Sequence, residues 1–196
     1  MMSSEIQTKV DLFKLANSTV YTADGSAMVM RMLWQKQTAI LIFLRHFACM
    51  ACRSHVDQVW KNREQYEKSG GKIIFVGNGS ASFIDQFKKD MNIANALVVT
   101  DPSREVFKAA GFRKGFSYFL NVKVVVAAVK IARAGFKQGE YTKEAGIHTQ
   151  MGGVLVINKR SELVYHYISE FFGDFPEESH LDEIHQDESM KVVEKI

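Results

Sequence analysis

Two cysteines lie at the boundary between an apolar run and a helix-like pattern, and this boundary constrains the fold more than any other part of the chain. Residues 39–44 are all apolar and rich in branched side chains, which predicts a strand buried on both faces of a sheet. Apolar side chains then recur at the spacing of one helix face across residues 56–66. Cys49 and Cys52 fall between the two elements, three residues apart.

This placement of the two cysteines predicts thiol–disulfide chemistry. At a helix start, Cys49 would lie near unpaired backbone N–H groups and the positive end of the helix dipole, and both favour a thiolate. Cys52 follows one turn later, where Cβ atoms are about 5–6 Å apart, close enough for a disulfide. We expect Cys49 to be the exposed nucleophile with a lowered pKa, and Cys52 to be the more buried residue that resolves the intermediate. Arg45, His46 and Arg53 are nearby cations expected to add to thiolate stabilisation.

Composition narrows the class of protein. A chain of 196 residues fits one domain with an insert or tails. The formal net charge of +3 and the lack of a basic and aromatic platform predict no nucleic-acid binding. No apolar run opens the chain, and the apolar stretch 122–134 is short and interrupted by three cations, so we expect no secretory signal and no stable membrane insertion. These features predict a reducing, cytoplasmic location, where such a cysteine pair is more often catalytic or metal-binding than a structural staple.

The remaining pattern predicts an α/β chain of the thioredoxin-like order. From residue 38 onwards it reads β-α-β-α-β-α, an irregular helical insert, and then a β-hairpin and a helix. We predict a central mixed sheet flanked by helices, with residues 1–18 as an N-terminal extension and 19–196 as a single domain whose insert spans about 112–149. The predicted strands are 19–21, 38–44, 72–76, 96–99, 154–157 and 163–168. The predicted helices are 27–34, about 49–69, 82–91, 101–110, 121–134 and a closing helix from about 177.

Two other interpretations of the cysteine pair remain open. His46, Cys49, Cys52 and His55 are spaced evenly by three, and zinc accepts two Cys and two His ligands. Zinc-finger spacings place the histidines farther downstream, and one rigid junction would struggle to surround an ion, so a structural zinc site is the less favoured hypothesis. Both cysteines could also be inert core thiols.

The insert contains a regular row of cations. Lys123, Lys130 and Lys137 recur at heptad spacing, which places them near one face of a helix. We interpret this row as a solvated face, and less readily as a membrane or partner surface.

Four segments resemble a known family. Residues 43–53 read FLRHFACMACR and resemble the active-site stretch of the peroxiredoxin-like proteins of the alkyl hydroperoxide reductase/thiol-specific antioxidant (AhpC/TSA) group. The resemblance continues at 101–112, 150–157 and 172–174, and extends over nearly the whole chain.

The resemblance implies a thioredoxin fold and an antioxidant enzyme without a cofactor. Such an enzyme would reduce a peroxide, an endoperoxide or a disulfide, with electrons from thioredoxin or a similar dithiol. It assigns Cys49 and Cys52 as the redox-active pair. Supporting positions are expected at Arg45, His46, Arg53, Gln150, Gly152 and Gly153. Such folds often pair through exposed edges, so a homodimer is a further expectation.

The sequence also departs from better-known relatives. Typical peroxiredoxins place Pro and Thr seven and three residues before the reactive cysteine, where this chain has Ile42 and His46. Thioredoxins place a cis-Pro opposite the cysteines, where this chain has Met151-Gly152-Gly153. These departures keep a second hypothesis open, a non-enzymatic binding or scaffold protein that retains the thioredoxin shape.

Overall fold

Strands of branched and aromatic residues form a seven-stranded mixed sheet in the computed structural model, which describes residues 10–68, 70–112, 114–115 and 122–176. The strands are β1 (Thr19–Tyr21), β2 (Ala27–Val29), β3 (Thr38–Phe43), β4 (Gly71–Gly77), β5 (Leu97–Thr100), β6 (Gly153–Ile157) and β7 (Leu163–Ile168). Their order across the sheet is β2-β1-β5-β4-β3-β6-β7. Parallel pairing joins β3, β4 and β5, and antiparallel pairing joins β3 to β6 and β6 to β7. The predicted α/β thioredoxin-like arrangement, with its late hairpin, is confirmed.

Helices cover both faces of this sheet. They are α1 (Leu12–Asn17), α2 (Met50–Lys61), α3 (Arg63–Lys68), α4 (Ile84–Asp90), α5 (Glu105–Ala109) and α6 (Val122–Arg133). Along β3, Ile40 and Ile42 point into the core that holds α2 and α4, whereas Leu41 and Phe43 point into the core that holds α1 and α5. The central strand is therefore buried on both faces, as its continuous apolar run predicts.

The predicted helix at 27–34 is wrong. Residues 27–29 form β2, which pairs antiparallel with β1, and a 3-10 helix at Met30–Leu33 follows. Gly25 has a φ of +82°, which fits the tight turn between the two strands. The apolar spacing here comes from the buried Met30 and Leu33 rather than from an α-helix.

The helix predicted at 101–110 starts later than expected. Asp101 and Pro102 lie in a turn, and α5 begins at Glu105. The Asp101 carboxylate still supports the helix, because it accepts hydrogen bonds from the backbone N of Ser103 at 2.9 Å and of Val106 at 2.8 Å. Gly111, with φ +75°, follows the helix end as predicted.

The ends of the predicted domain are described only in part. In the predicted N-terminal extension, Val10 and Leu15 are buried in the same core as α5. The predicted closing helix from about residue 177 lies outside the described residues. The division into an extension and a single domain therefore stays a prediction. None of the described helices is long and apolar enough to cross a membrane.

Candidate active site

The junction between β3 and α2 forms the candidate site. The strand ends at Phe43, and α2 begins at Met50 with Cys49 as its N-cap. Cys49 has an extended backbone, with φ −69° and ψ 118°, so its Sγ turns back towards the first helical turn. There it accepts a hydrogen bond from the backbone N of Cys52 at 3.4 Å. A cysteine thus does what Ser or Asp usually does at a helix start, and this geometry favours a negative sulfur.

Arg45 contacts both sulfur atoms. Its Nη1 lies 3.6 Å from Cys49 Sγ, and its backbone N lies 3.3 Å from Cys52 Sγ. The guanidinium is held in place because Nη2 donates to the backbone O of His148 at 2.7 Å and Cζ lies 5.1 Å from the centre of the Phe172 ring. Of the predicted cations, Arg45 is the one that the structure places on the sulfurs.

The two thiols have opposite pKa shifts. Burial raises the pKa of Cys49, but the hydrogen bond with the Cys52 side chain, the charge of Arg45 and two backbone N–H groups outweigh burial and lower the pKa to about 6. Burial, and then the interaction with Cys49, raises the pKa of Cys52 well above its ordinary value. At neutral pH the pair is therefore a thiolate at 49 beside a thiol at 52.

The prediction that Cys49 is exposed is wrong. Its exposed fraction is 0% and that of Cys52 is 2%. Residues 136–139, which we call the strap, cross the active-site turn. Gln138 Nε2 donates to the Ala48 O at 2.6 Å, Gln138 Oε1 accepts from the Met50 N at 3.3 Å, and Gly139 N donates to the Ala48 O at 2.9 Å.

Arg53 binds the backbone of the active-site turn. Among the described residues, the structure shows no contact between Arg53 and either sulfur. Its Nε donates to the Phe47 O at 3.0 Å, and its Nη2 pairs with Asp90 at 2.9 Å. Its guanidinium also lies directly against Gly139, where an added Cβ would come within 2.8 Å of Nη2. Arg53 therefore ties the turn before α2 to both α4 and the strap.

The two nearby histidines are neutral, so the expectation of a cationic His46 is wrong. Burial, followed by repulsion from Arg45, His148 and Arg53, lowers the pKa of His46 to about 3. Its ring packs edge-on to Tyr141, with centroids 5.7 Å apart, and its Nδ1 has no hydrogen-bond partner among the described residues.

His55 lies in a different environment from His46. Burial lowers the pKa of His55 to about 3, and its ring stacks on Phe175 at a centroid distance of 4.2 Å.

No three His, Cys, Asp or Glu side chains in the described part of the chain lie close enough together to hold a metal. The four evenly spaced residues of the zinc hypothesis are therefore not gathered around one point, because a rigid helix start separates the histidines.

Gly152 lies directly before β6 and close to the backbone N of Arg45, and Gly153 is the first residue of β6. Gly153 pairs with Phe43 at the end of β3, and a Cβ added to Gly152 would collide with the Phe43 carbonyl oxygen. Gln150 is buried, and its Nε2 donates to the Met151 O at 3.0 Å. Close approach of this loop to β3 thus requires glycine, and the loop supports the turn from which Arg45 reaches the sulfurs.

Several residues lie at the site that the sequence analysis did not assign to it. Asn78 Nδ2 donates to the Arg45 O at 2.5 Å and its Oδ1 accepts from the Ile147 N at 2.7 Å, so it joins the active-site turn to the insert. Gln138, Tyr141 and His148 come from the insert itself, with Tyr141 Oη 3.1 Å from His148 Nδ1. Asn78 had one usable signal: it follows β4, the parallel neighbour of β3, so both strands deliver their next residues to the same edge of the sheet.

Fold and site together define a class of protein. A cysteine pair at the start of the helix after a central strand, in a sheet of this order, is the arrangement of thioredoxin-like thiol oxidoreductases. The chain belongs to the AhpC/TSA antioxidant enzyme family, whose sequence model matches residues 58–170, more than half of the chain. The match begins after both cysteines, so the assignment is independent of them.

Individual relatives agree with the family. The chain is 29% identical over 176 residues to a prostamide/prostaglandin F synthase of Xenopus tropicalis, covering 85% of this chain and 83% of the relative. It is 28% identical over 102 residues to peroxiredoxin-like 2C of Bos taurus, covering 52% and 44%. The solved structure of peroxidoxin BcpB from Mycobacterium tuberculosis matches with a TM-score of 0.59 at 11% identity, covering 86% of this chain and 88% of that one.

These findings confirm the family resemblance and the fold. The protein is a peroxiredoxin-like antioxidant oxidoreductase, and its family implies a peroxide substrate and a thiol reductant in general.

Proposed function

We propose that Cys49 is the nucleophile of a thiol peroxidase and that Cys52 resolves its oxidised form. The observation that carries the proposal is the unequal environment of the two sulfurs: Cys49 is the helix N-cap facing Arg45, with a pKa lowered to about 6, and the pKa of Cys52 is raised. One sulfur is thus prepared to attack, and the other keeps its proton until it is needed.

The proposed reaction balances without a cofactor. The Cys49 thiolate attacks one peroxide oxygen, the S–O bond forms, the O–O bond breaks, and the departing alkoxide takes a proton to become an alcohol. The Cys52 thiol then attacks the Cys49 sulfenic acid, forming the disulfide and releasing water. Thioredoxin or a similar dithiol reduces the disulfide back to two thiols. This requirement for a dithiol supply supports a reducing compartment such as the cytoplasm.

Arg45 and His46 are proposed to bind the peroxide. The Arg45 guanidinium lies beside the attacking sulfur, where it would stabilise negative charge on sulfur and on the departing oxygen. His46 stands where typical relatives have the threonine that orients the peroxide, and its buried Nδ1 has no partner among the described residues. A neutral imidazole nitrogen in that place would form the hydrogen bond that the hydroxyl supplies elsewhere.

The other predicted positions are proposed to act through the backbone. Arg53 fixes the turn before α2 through the Phe47 O, and Gly152 and Gly153 let β6 approach β3 beside Arg45. Gln150, buried next to them, is proposed to hold the same loop. None of these residues is proposed to touch the reacting oxygen.

An organic peroxide or a lipid endoperoxide is the proposed substrate class. Two aromatic rings lie beside the proposed peroxide-binding residues: Phe172 packs over the Arg45 guanidinium, and Tyr141 packs on His46. Such rings suit a peroxide with an apolar body better than hydrogen peroxide. The Xenopus relative, whose name places its chemistry on prostaglandin lipids, supports the same class. With an endoperoxide, attack of the Cys49 thiolate on one oxygen forms the S–O bond and breaks the O–O bond, giving a sulfenate ester, while the other oxygen takes a proton to become an alcohol. The Cys52 thiol then attacks the Cys49 sulfur, forming the disulfide and releasing the esterified oxygen as a second alcohol.

The test is a coupled assay with thioredoxin, thioredoxin reductase and NADPH against cumene hydroperoxide, hydrogen peroxide and a lipid endoperoxide. Cys49→Ser is expected to abolish turnover. Cys52→Ser is expected to accumulate the sulfenic acid, whereas the wild type loses about two hydrogens in mass on disulfide formation. Turnover that survives Cys49→Ser would exclude this cysteine as the nucleophile. A wild type that is inert to every peroxide would favour the scaffold hypothesis. A homodimer stays a prediction, for which light scattering is the direct measurement.

A further inference from the structure

Helix α6 presents an apolar surface to solvent, although it packs on the core with its other side. Ile131 and Ala127 face inward, where Ile131 is buried and both lie against Gly173. The opposite side carries Val125, Val126 and Val129, which we call the valine face. Their exposed fractions are 64%, 65% and 44%, unusual for three neighbouring aliphatic side chains on one short helix.

Cations border the valine face, and no acid accompanies them. Residues 122–138 contain four cations and no Asp or Glu, while the whole chain carries a net charge of only +3. Lys130 and Arg133 line the same shallow depression as the three valines. Lys130, Arg133 and Lys137 form no ion pair within the described ranges, and Lys123 packs over the Phe171 ring at 5.5 Å. The positive charge of Lys130, Arg133 and Lys137 is therefore not neutralised by acidic side chains of the described fold.

We propose that the valine face and its bordering cations bind the surface of an anionic lipid bilayer, with α6 lying in the plane of the interface. Exposed aliphatic side chains flanked by Lys and Arg on one helix match what such a surface binds. Hydrocarbon takes up the valines, and lipid phosphates or carboxylates pair with the cations. The binding uses α6 alone and does not depend on the redox roles proposed for the cysteines.

Other occupants fit this face less well. A second copy across a two-fold axis would bring a second set of the same cations to this face, and residues 122–138 contain no acid to pair with them, which opposes pairing. A protein partner usually anchors on aromatic residues, and this face offers only short aliphatic side chains. A lipid surface needs neither a matching shape nor an anchor.

Binding in this orientation would also place the active site near the membrane. Helix α6 leads through Gly135 directly into the strap, and Gln138 of the strap contacts Ala48 and Met50 beside Cys49. A peroxide with an apolar body partitions into the bilayer, so the surface would bring the enzyme to where such substrates concentrate.

The test is co-sedimentation of the full chain with vesicles of phosphatidylcholine containing 30% phosphatidylserine, compared with pure phosphatidylcholine. Binding to the anionic vesicles that weakens in 0.5 M salt is expected. The double variant Lys130→Gln/Arg133→Gln is expected to bind about 30-fold more weakly, from about fivefold for each cation near such a surface. Val125→Asn/Val129→Asn is expected to lose binding about tenfold or more.

The matched control removes the same charge elsewhere. Lys89→Gln/Lys108→Gln changes two lysines on α4 and α5 that form no ion pair within the described ranges, and it should retain binding. Equal loss in the control would mean non-specific charge attraction and overturn the proposal. Absence of binding by the wild type would also overturn the proposal. So would light scattering that shows a dimeric wild type and a monomeric valine variant. Turnover of a water-soluble peroxide should remain unchanged in the charge variants, which separates this test from that of the cysteine chemistry.

Discussion

Gln138→Ala should open the strap and speed the reaction of the buried Cys49 with a small alkylating agent. The side chain of Gln138 makes two hydrogen bonds to the active-site turn, at 2.6 Å to the Ala48 O and at 3.3 Å from the Met50 N. The sulfur is fully buried, with an exposed fraction of 0%, so a reagent reaches it only when the surrounding structure opens. We expect this opening to begin at the strap, which contacts the residues on both sides of Cys49. The reaction rate therefore reports the population of the open form.

The magnitude follows from the two bonds. A net contribution of about 0.5–1.5 kcal/mol for each, with the longer bond at the low end, gives about 1.5–2 kcal/mol of stabilisation for the closed form. Loss of that stabilisation raises the open population by about 10–30-fold. The Gly139 bond to the Ala48 O remains in the variant, so the strap should loosen rather than detach.

The assay is iodoacetamide alkylation at pH 8.5, where Cys49 is already ionised in both proteins because its pKa is near 6. Gln65→Ala is the matched control, since this glutamine is exposed on α3 and its side chain makes no contact with the site. An alkylation rate in Gln138→Ala that equals that of the control would refute the strap as the barrier to access.

Three further predictions concern charge, pH and packing. Arg45→Met should raise the pKa of Cys49 from about 6 towards its ordinary value, seen as a higher midpoint of the alkylation rate against pH. His55→Phe should reduce acid sensitivity: the pKa lowered to about 3 means that the unfolded chain binds this proton first, so wild-type stability falls as pH drops from about 6.5 towards 3, and chemical denaturation at several pH values measures it. Gly152→Ala should cost about 3 kcal/mol or more in unfolding free energy through its backbone collision, against about 1 kcal/mol for Gly70→Ala, which adds its Cβ to open space.

The sequence was informative wherever a structural signal is local. The run at 38–43 had no polar break, so a strand buried on both faces was the simple solution, and the hairpin of β6 and β7 was marked by its own turn residues. The short β2 was mispredicted because a three-residue strand is defined by its pairing with β1 rather than by its own pattern. Similarly, the late start of α5 was missed because Asp101 supports the helix from outside it, accepting from the backbone N of Val106 five residues later.

The candidate site also combines features set by local sequence, which could be predicted, with features set by tertiary contacts, which could not. A spacing of three at a helix start predicted which cysteine would have the lowered pKa, because the N-cap position and the helix dipole are local properties. Burial of that cysteine comes from tertiary packing: the turn around it is contacted by Gln138, which lies 90 positions away from Ala48 in the chain, and no spacing rule joins them. The neutral His46 was missed for the same reason, since its low pKa comes from burial beneath the insert and from repulsion by Arg45.

A sulfur that is both buried and ionised leads to a specific pH profile. Arg45 and the backbone N–H of Cys52 replace water around the thiolate, so closure and ionisation stabilise each other. Opening exposes the sulfur to water, where the pKa of a cysteine thiol is about 8.5. While the closed form predominates, the alkylation rate should still rise with pH around a midpoint near 6, because the pKa of Cys49 in the closed form sets that midpoint. The plateau rate at high pH should be low, because few molecules are open at any time. Gln138→Ala should raise the plateau and leave the midpoint in place. A wild-type midpoint near 8.5 with a high plateau would instead mean that Cys49 rests in an open site, and the closed arrangement of the strap would then have no role in its reactivity.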